Sequence, residues 1–529
     1  MPSRLTAAPG RGLVTAAFPD AAELGADALR RGGNAVDAIC AAAWALAVCE
    51  PAESGLGGQA VALIAEPDGR TVVIDGSSRT PRHATRSRIT KAQQHTGRTA
   101  STVPSAPAAL DMMQRRFGRL DPADSLRAAA DLADTGFRLT RLQARQVRWT
   151  ADALRADPLA RSIFFDDAGA PRRAGSRLGQ PTLARTLRRL ADAGVEDFYH
   201  GDIARTIAED MAHGGGLIDT DDLRAVRAPD VAEPIETEWA GRRALSAPPP
   251  AGGATVLLAL ALLERWSAPS AAPDLTSRIL ALCRATRTAL RERERWPDHP
   301  DDLTESIRRW IVSRERVDSI VARSRPTDTA PPTDGLEPPG DGETTHLCAV
   351  DRDGRAVSLT LSIQSVFGAK TMCQGAGFFY NNYLTTCPRS PHPYRLGPGA
   401  APRANASPTI LLQRTGHGWT PELAIGAAGS RRLVSAMVRT LDAVCLRGAS
   451  LPEAVRAPRC HALLTHGVWI ERPLLRQIDR DRVVREYGPI TPLARLAYRA
   501  GAVQALQRLS DGRIIGAADP RRDGAVASE

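Results

Sequence analysis

Two threonines and a histidine, Thr344-Thr345-His346, follow directly on Arg323 to Glu343, a stretch of Pro, Asp, Thr and Gly with almost nothing to bury. A threonine hydroxyl is a weak nucleophile. It becomes competent when its own freed α-amino group acts as base, and that group, with a reference pKa of about 7.7–8.0, is partly neutral near pH 7. Such chemistry needs the chain cut immediately before the threonine, and a mobile linker ending at Glu343 would supply the access. On this feature alone the plainer reading is favoured: an exposed loop entering an edge strand.

Other catalytic signatures are missing. Ser54-Gly55-Leu56-Gly57-Gly58 follows a helix and precedes a strand, the reverse of the dinucleotide-binding order. Lys91 and Lys370, the two lysines, lie outside any phosphate-loop context. There is no HExxH and no Gly-x-Ser-x-Gly elbow, so no metal and no cofactor is expected. His346 reads as a strand packing residue. The eight cysteines contain no CxxC and read as free thiols.

The elements that must position the threonine can be read in outline. Asp20 to Arg31 forms a helix stopped by Gly32-Gly33, and Asn34 caps a second, apolar nearly all round, to Cys49. Ala60 to Ile64 and Thr71 to Ile74 make a hairpin. Residues 105 to 320 are mainly helical. After the linker the period becomes two. Thr345 to Asp351 pairs with Ala356 to Gln364 through Arg352-Asp353-Gly354, and a three-residue loop with Gly354 left-handed places Ser362 opposite Thr344.

Composition sets the remaining bounds. The 529 residues carry a net charge of +10, but the arginines are scattered, so neither nucleic acid nor membrane is an expected partner. The longest apolar run, Ala38 to Cys49, is too short to span a bilayer. The first residues show no secretory pattern, from which we expect a cytoplasmic protein.

The sequence resembles the γ-glutamyltranspeptidases, within the N-terminal nucleophile hydrolases. The likeness is carried by Gly32-Gly33-Asn34-Ala35-Val36-Asp37-Ala38, Glu50-Pro51, Ser54-Gly55-Leu56-Gly57-Gly58, Phe198-Tyr199-His200-Gly201 and Pro248-Pro249-Pro250. It continues in Thr344-Thr345-His346, Asn381-Asn382, Ser407-Pro408-Thr409, Ala457-Pro458-Arg459 and Asp519-Pro520-Arg521. The resemblance implies an α+β fold, a four-layer αββα sandwich. It implies self-cleavage between Glu343 and Thr344, giving segments 1–343 and 344–529. These would stay together as a heterodimer within one αββα domain, with a homo-oligomer of such pairs possible. Thr344 would be the nucleophile, Ser362 its contact, and Gly429-Ser430 the oxyanion-binding pair. Gln364 matches an asparagine that contacts the small-molecule substrate.

The departures concern glutamate recognition. Ser77 lies where the family has the arginine that grips the α-carboxylate, and Arg79 is two residues further on. Thr386 replaces the aspartate that binds the α-amino group, and Ala404-Asn405 replaces a serine pair. The connection from Thr386 to Ala404, which in the family includes a lid, is short. Losing two charge-assisted bonds would cost roughly 3–6 kcal/mol, about a hundred- to ten-thousand-fold in affinity. We therefore expect a threonine hydrolase with a substrate other than an ordinary γ-glutamyl peptide. The specific expectation is hydrolytic C–C cleavage of a side chain in 4-alkylproline-type biosynthesis of an antibiotic. An amide-cleaving acylase comes next and a conventional γ-glutamyl transferase third. An uncleaved, non-catalytic homologue is disfavoured because Thr344, Ser362 and Gly429-Ser430 are retained.

Overall fold

The computed structural model describes residues 12–229, 231–267, 274–294, 305–324, 342–389, 392–416 and 418–529. Two large antiparallel sheets lie at its centre. Their strands in chain order are β1 (Leu13–Ala16), β2 (Gln59–Ala65), β3 (Thr71–Gly76), β4 (Val231–Ala232), β5 (Ile235–Trp239), β6 (Arg242–Ser246) and β7 (Gly342–Val350). They continue with β8 (Ala356–Ser365), β9 (Thr409–Thr415), β10 (Gly418–Ala428), β11 (Ala502–Arg508), β12 (Ile514–Ala518) and β13 (Ala525–Ser528). The seven-stranded sheet runs β13-β1-β7-β8-β2-β3-β4 and the six-stranded sheet β12-β11-β10-β9-β6-β5. Each sheet takes strands from both sides of residue 343.

Strand periodicity generates the layers. In β2, Ala60, Ala62 and Ile64 face an outer core shared with helices, while Val61, Leu63 and Ala65 face an inner core. That inner core also takes Leu245 from β6, Ala424 from β10 and Leu506 from β11, so it is the seam between the sheets. On the far side, Leu423, Ile425 and Ala427 pack on the helices Gly253–Ser267, Leu275–Arg293 and Arg432–Cys445. The result is the expected αββα sandwich.

The glycine-rich motif near the N-terminus has a mechanical explanation. Gly32 has φ 90°, and a Cβ on Gly33 would meet the Ala28 carbonyl at 2.7 Å. The tight turn delivers Asn34, whose Oδ1 accepts from the Val36 and Asp37 amides at 2.8 and 3.2 Å, capping Ala35–Cys49. Every residue of that helix is buried, as the apolar run predicted. Asp37 accepts from the amides of Asn34 (2.9 Å), Arg119 (2.8 Å) and Leu120 (3.1 Å). The Ala35 amide donates to Asp351 at 2.9 Å, tying this helix to the β7–β8 turn.

Three expectations need correction. The strand carrying the threonines begins at Gly342 rather than Thr345, so Glu343 is in the sheet and not at the end of a linker. Its carboxylate is held by buried arginines, which compensates its charge inside the fold. Of the remaining linker, 325–341 lies outside the described residues and Arg323 closes a helix, Arg314–Arg323. The region read as mainly helical contains β4 to β6. The β5–β6 hairpin turns on Ala240 and Gly241, with φ 51° and 72°, the two-residue geometry that matches strand twist. Finally, the β7–β8 register follows the three-residue loop from Ala356↔Val350 to Leu361↔Thr345, but a bulge shifts it before Gln364↔Glu343. Ser362 and Thr344 fall at that bulge.

Asp37 generates a stability prediction. Asp37→Ala leaves one buried and two part-buried amides without their acceptor and should cost about 2–3 kcal/mol, read from denaturant unfolding. Asp37→Asn, which keeps one carbonyl acceptor, should cost less. A loss below about 1 kcal/mol for the alanine variant would show that the turn does not depend on this carboxylate.

Candidate active site

Three oxygens meet where the ladder breaks. Thr344 Oγ1 donates to Ser362 Oγ at 3.2 Å, and Ser362 Oγ donates to the Glu343 carbonyl at 3.0 Å. The Gln364 amide also donates to Ser362 Oγ, at 2.9 Å. A serine hydroxyl offers one donor and two acceptor positions, and all three are used. The chain of hydroxyls therefore runs from the expected nucleophile to the carbonyl on the other side of the Glu343–Thr344 bond. Thr344 and Ser362 are 6% and 2% exposed, so water competes little for these bonds. The bulge that permits this geometry puts Gln364 at φ 82°, an uncommon conformation for a side chain of its kind. Gln364 thus contacts the site through its amide, and its half-buried side chain lies beyond.

A buried charge cluster lies behind the threonine. Arg522 donates to Glu53, to Glu343 and, at 3.1 Å, to the Thr344 carbonyl. Arg432 reaches the other Glu343 oxygen at 3.2 Å. Glu53 also accepts from Tyr498 at 2.9 Å and Gln146 at 2.5 Å, and the Tyr498 ring lies 4.6 Å from the Arg522 guanidinium. Burial pushes the Glu53 carboxyl up to about 7, with Arg522 opposing and Glu343 adding to the rise. Burial likewise raises Glu50, with Glu53 adding to it. Arg522 is held ionised against burial by Glu53 and Glu343.

His346 is fully buried, bonded to Thr360 at 3.0 Å and Ser358 at 3.1 Å. Burial pushes its imidazole down to about 3, so it is neutral. A Cβ on Gly426 would meet its ring at 2.1 Å, so the opposing sheet leaves room for this side chain. It packs, as read from the sequence.

The expected oxyanion pair directly follows β10. Gly429 and Ser430 both have positive φ, 116° and 54°, followed by Arg431 at −60°. A left-handed Ser430 followed by a right-handed Arg431 can gather successive N–H groups into an anion-receiving concavity. Arg432, whose amide donates to Gly429 at 3.1 Å, links this turn to the Glu343 carboxylate. Asn405 donates to Ser430 Oγ at 3.3 Å and accepts from Arg293 at 2.6 Å. Burial lowers the Arg293 guanidinium to about 9, with neighbouring Arg403 adding to the shift.

The expected recognition residues lie on the Ser362 side. Gln59 stands opposite Ser362 in the sheet and accepts from Ser78 at 2.9 Å, and the buried Tyr383 lies beside both Ser362 and Gln59. Ser77 is spent on Asp75, bonding it through amide and hydroxyl at 3.0 and 2.5 Å. Arg79 lies at the surface, where its carbonyl accepts from the Val103 amide. Thr386 closes the turn after Tyr383, donating to the Tyr383 carbonyl at 2.9 Å. The connection that follows docks onto the same wall through Thr80 and Ala400.

Sequence reasoning missed Glu53, Arg522, Arg432, Tyr383 and Arg293. The signal for two of them was present: Glu53 lies between Glu50-Pro51 and the glycine motif Ser54-Gly55-Leu56-Gly57-Gly58, and Arg522 extends Asp519-Pro520-Arg521 by one residue. Among the described residues no cluster of three or more His, Cys, Asp or Glu is disposed to hold a metal. A cavity of about 1060 Å³ lies elsewhere, between the β5–β6 hairpin and residues 305–317, and none of the expected site residues lines it.

Fold and site together define an N-terminal nucleophile hydrolase. Residues 21–529 match the model of the γ-glutamyltranspeptidase family, and the chain belongs to that family. It is 29% identical to the glutathione hydrolase proenzyme of Pseudomonas sp. (strain A14), covering 98% of this chain and 94% of that one. It is 30% identical to the acylase ACY 1 proenzyme of Pseudomonas sp. (strain SE83), covering 97% and 93%. The crystal structure of cephalosporin acylase from Bacillus halodurans superposes with a TM-score of 0.88 at 26% identity, covering 99% of this chain and 97% of that one. Among the described residues no helix is long and apolar enough to cross a membrane.

The hydroxyl chain gives a division of roles that kinetics can test. Ser362→Ala removes the donor to the Glu343 carbonyl and the acceptor for Thr344, so it should slow chain cleavage and lower kcat by about a hundredfold with little change in KM. Gln364→Ala keeps the amide and should leave cleavage intact while raising KM. Equal, modest effects of both on KM alone would refute the division.

Proposed function

We propose that this protein is an autoprocessing threonine hydrolase that cleaves an acyl amide whose acyl group is not γ-glutamyl. The observation that carries the reading is the Thr344–Ser362–Glu343 chain of contacts, which sets a nucleophile and a polarised carbonyl on either side of one hydroxyl. In the intact chain Thr344 Oγ1 attacks the Glu343 carbonyl, the peptide bond gives way to an ester, and water hydrolyses it. Thr344 then carries a free amine beside its own hydroxyl, the pairing that activates such a nucleophile. Segments 1–343 and 344–529 remain together because both sheets interleave their strands. In turnover Gly429 and Ser430 receive the developing oxyanion, and Asn405, held by Arg293, supports Ser430 rather than touching substrate.

The substrate reading rests on two supports. Neither Ser77 nor Thr386 offers charge to a glutamyl group, and Ser77 is already bonded to a carboxylate. Among the relatives is an acylase at 30% identity over almost the full chain. The same acyl-enzyme chemistry would serve a C–C bond beside a carbonyl, and the acylase relatives favour the amide.

Purified wild-type protein should resolve into two bands, the smaller beginning at Thr344, and Thr344→Ala should stay whole. A wild-type chain that stays whole after long incubation yet remains active would overturn the mechanism. Cleaved enzyme offered a panel of acyl anilides should turn over γ-glutamyl anilide at least a hundredfold less efficiently, in kcat/KM, than its best simple acyl donor. A γ-glutamyl donor at the head of the panel would restore the conventional activity.

A further inference from the structure

Glu343 lies immediately before the bond expected to break, yet its side chain is among the most buried in the protein, 2% exposed. Such a position would suit a small, flexible residue if access were the sole requirement. Instead one guanidinium grips both sides of the bond. Arg522 Nη2 donates to the Glu343 carboxylate on the acyl side, and Arg522 Nη1 donates to the Thr344 carbonyl on the amine side, at 3.1 Å. Arg432 holds the second carboxylate oxygen at 3.2 Å. This clamp sits at the β7–β8 bulge, where Thr344 has no register partner and pairing resumes only at Gln364↔Glu343.

We infer that Arg522, assisted by Arg432, is a positioning residue for self-cleavage, with the Glu343 side chain as its handle. The inference rests on the self-cleavage proposed above. Holding Glu343 by its carboxylate keeps its carbonyl on Ser362 Oγ, and holding the Thr344 carbonyl keeps the Thr344 hydroxyl on the same oxygen. In the reaction the bond from Thr344 Oγ1 to the Glu343 carbonyl carbon forms and the bond from that carbon to the Thr344 nitrogen breaks. The hydroxyl proton passes to the nitrogen as that bond breaks, while Ser362 Oγ holds the Glu343 carbonyl oxygen. Water then adds to the ester carbon, leaving a carboxylate on Glu343 and returning the hydroxyl to Thr344. Arg522 gains and loses no bond in these steps.

The partners of Arg522 fit this division of labour. Glu53 belongs to a buried loop braced by Tyr498 and Gln146, and it compensates the guanidinium with or without Glu343. Glu343 is the partner that cleavage turns into a chain end. The Glu343 contact is therefore available to act on the precursor, while the Glu53 contact secures the cation throughout.

The test is a cleavage time course on the full-length chain, followed by gel and by intact mass. Glu343→Gln keeps the size and removes the charge. It should slow cleavage about ten- to a hundredfold, the scale on which misplacing a reacting group acts. Arg522→Lys, which cannot span both contacts with a single ammonium, should fall between wild type and Arg522→Met. Glu343→Gln added to Arg522→Met should bring no further slowing, because the two act through one contact. The melting temperature of Glu343→Gln should stay within about 2 °C of wild type, which separates positioning from structural support. Wild type cleaving while Glu343→Gln keeps pace within twofold overturns the inference and leaves the self-cleavage proposal standing. Additive slowing by the two changes, or slowing that follows a fall in melting temperature, also overturns it. A wild-type chain that never cleaves removes the proposal beneath it. If Arg522→Met does not fold, the Glu343→Gln rate and melting temperature decide.

Discussion

The site exists because one antiparallel ladder is broken at one place. From Val350 to Thr345 the β7 strand pairs regularly with β8, and the bulge between Leu361 and Gln364 then releases Thr344 from the ladder before pairing resumes at Gln364↔Glu343. In an unbroken ladder the Glu343–Thr344 peptide would be one more set of sheet bonds, and its carbonyl would face a backbone amide. Here that carbonyl faces a side-chain hydroxyl. The same break takes the Gln364 backbone to positive φ and turns its amide onto Ser362, completing the coordination of that oxygen. The sandwich, the helix capped at Asn34 and the tie from Ala35 to Asp351 hold the far end of the hairpin, so the irregularity is confined to the end that carries chemistry.

Burying that end creates an electrostatic problem, which is answered locally. Glu50, Glu53 and Glu343 stand close together out of water, and isolated buried carboxylates are costly. Arg522 and Arg432 supply the opposing charge, and the rise of Glu50 and Glu53 moves both toward the neutral form. A buried ion pair of this sort is weak evidence for stability, because desolvation offsets much of its attraction. Its value here is geometric. A planar guanidinium with several donors fixes directions that an apolar contact would leave loose.

Much of this could be read from the residues. The period-two pattern of Val357, Leu359, Leu361 and Ile363 and the loop at Gly354 gave β8 its facing and its register as far as Leu361. The capped, wholly apolar helix after Gly32-Gly33 followed from composition and caps. The bulge could not be read, because its strained position is filled by Gln364 rather than by a glycine that would have marked it. Glu343 was taken for the end of a loop because an acidic residue after Pro, Gly and Asp has no local partner. Its partners come from about 90 and 180 positions away in the chain, a distance that pattern reasoning does not cross. The β5–β6 hairpin carried its own signal, alternation in Ile235–Trp239 and a glycine at the turn, and was hidden by the helices on either side.

The central claim is that Thr344, once it heads its own chain, forms the covalent bond to substrate. Rapid quenching of the processed enzyme during turnover of its best acyl amide, followed by peptide mass mapping, measures this directly. The account predicts the acyl mass on the peptide that begins at Thr344, attached through its hydroxyl, and no acylated peptide in a chain still joined at Glu343. Acyl mass on any other residue, or turnover by chains whose Glu343–Thr344 bond is intact, would contradict it.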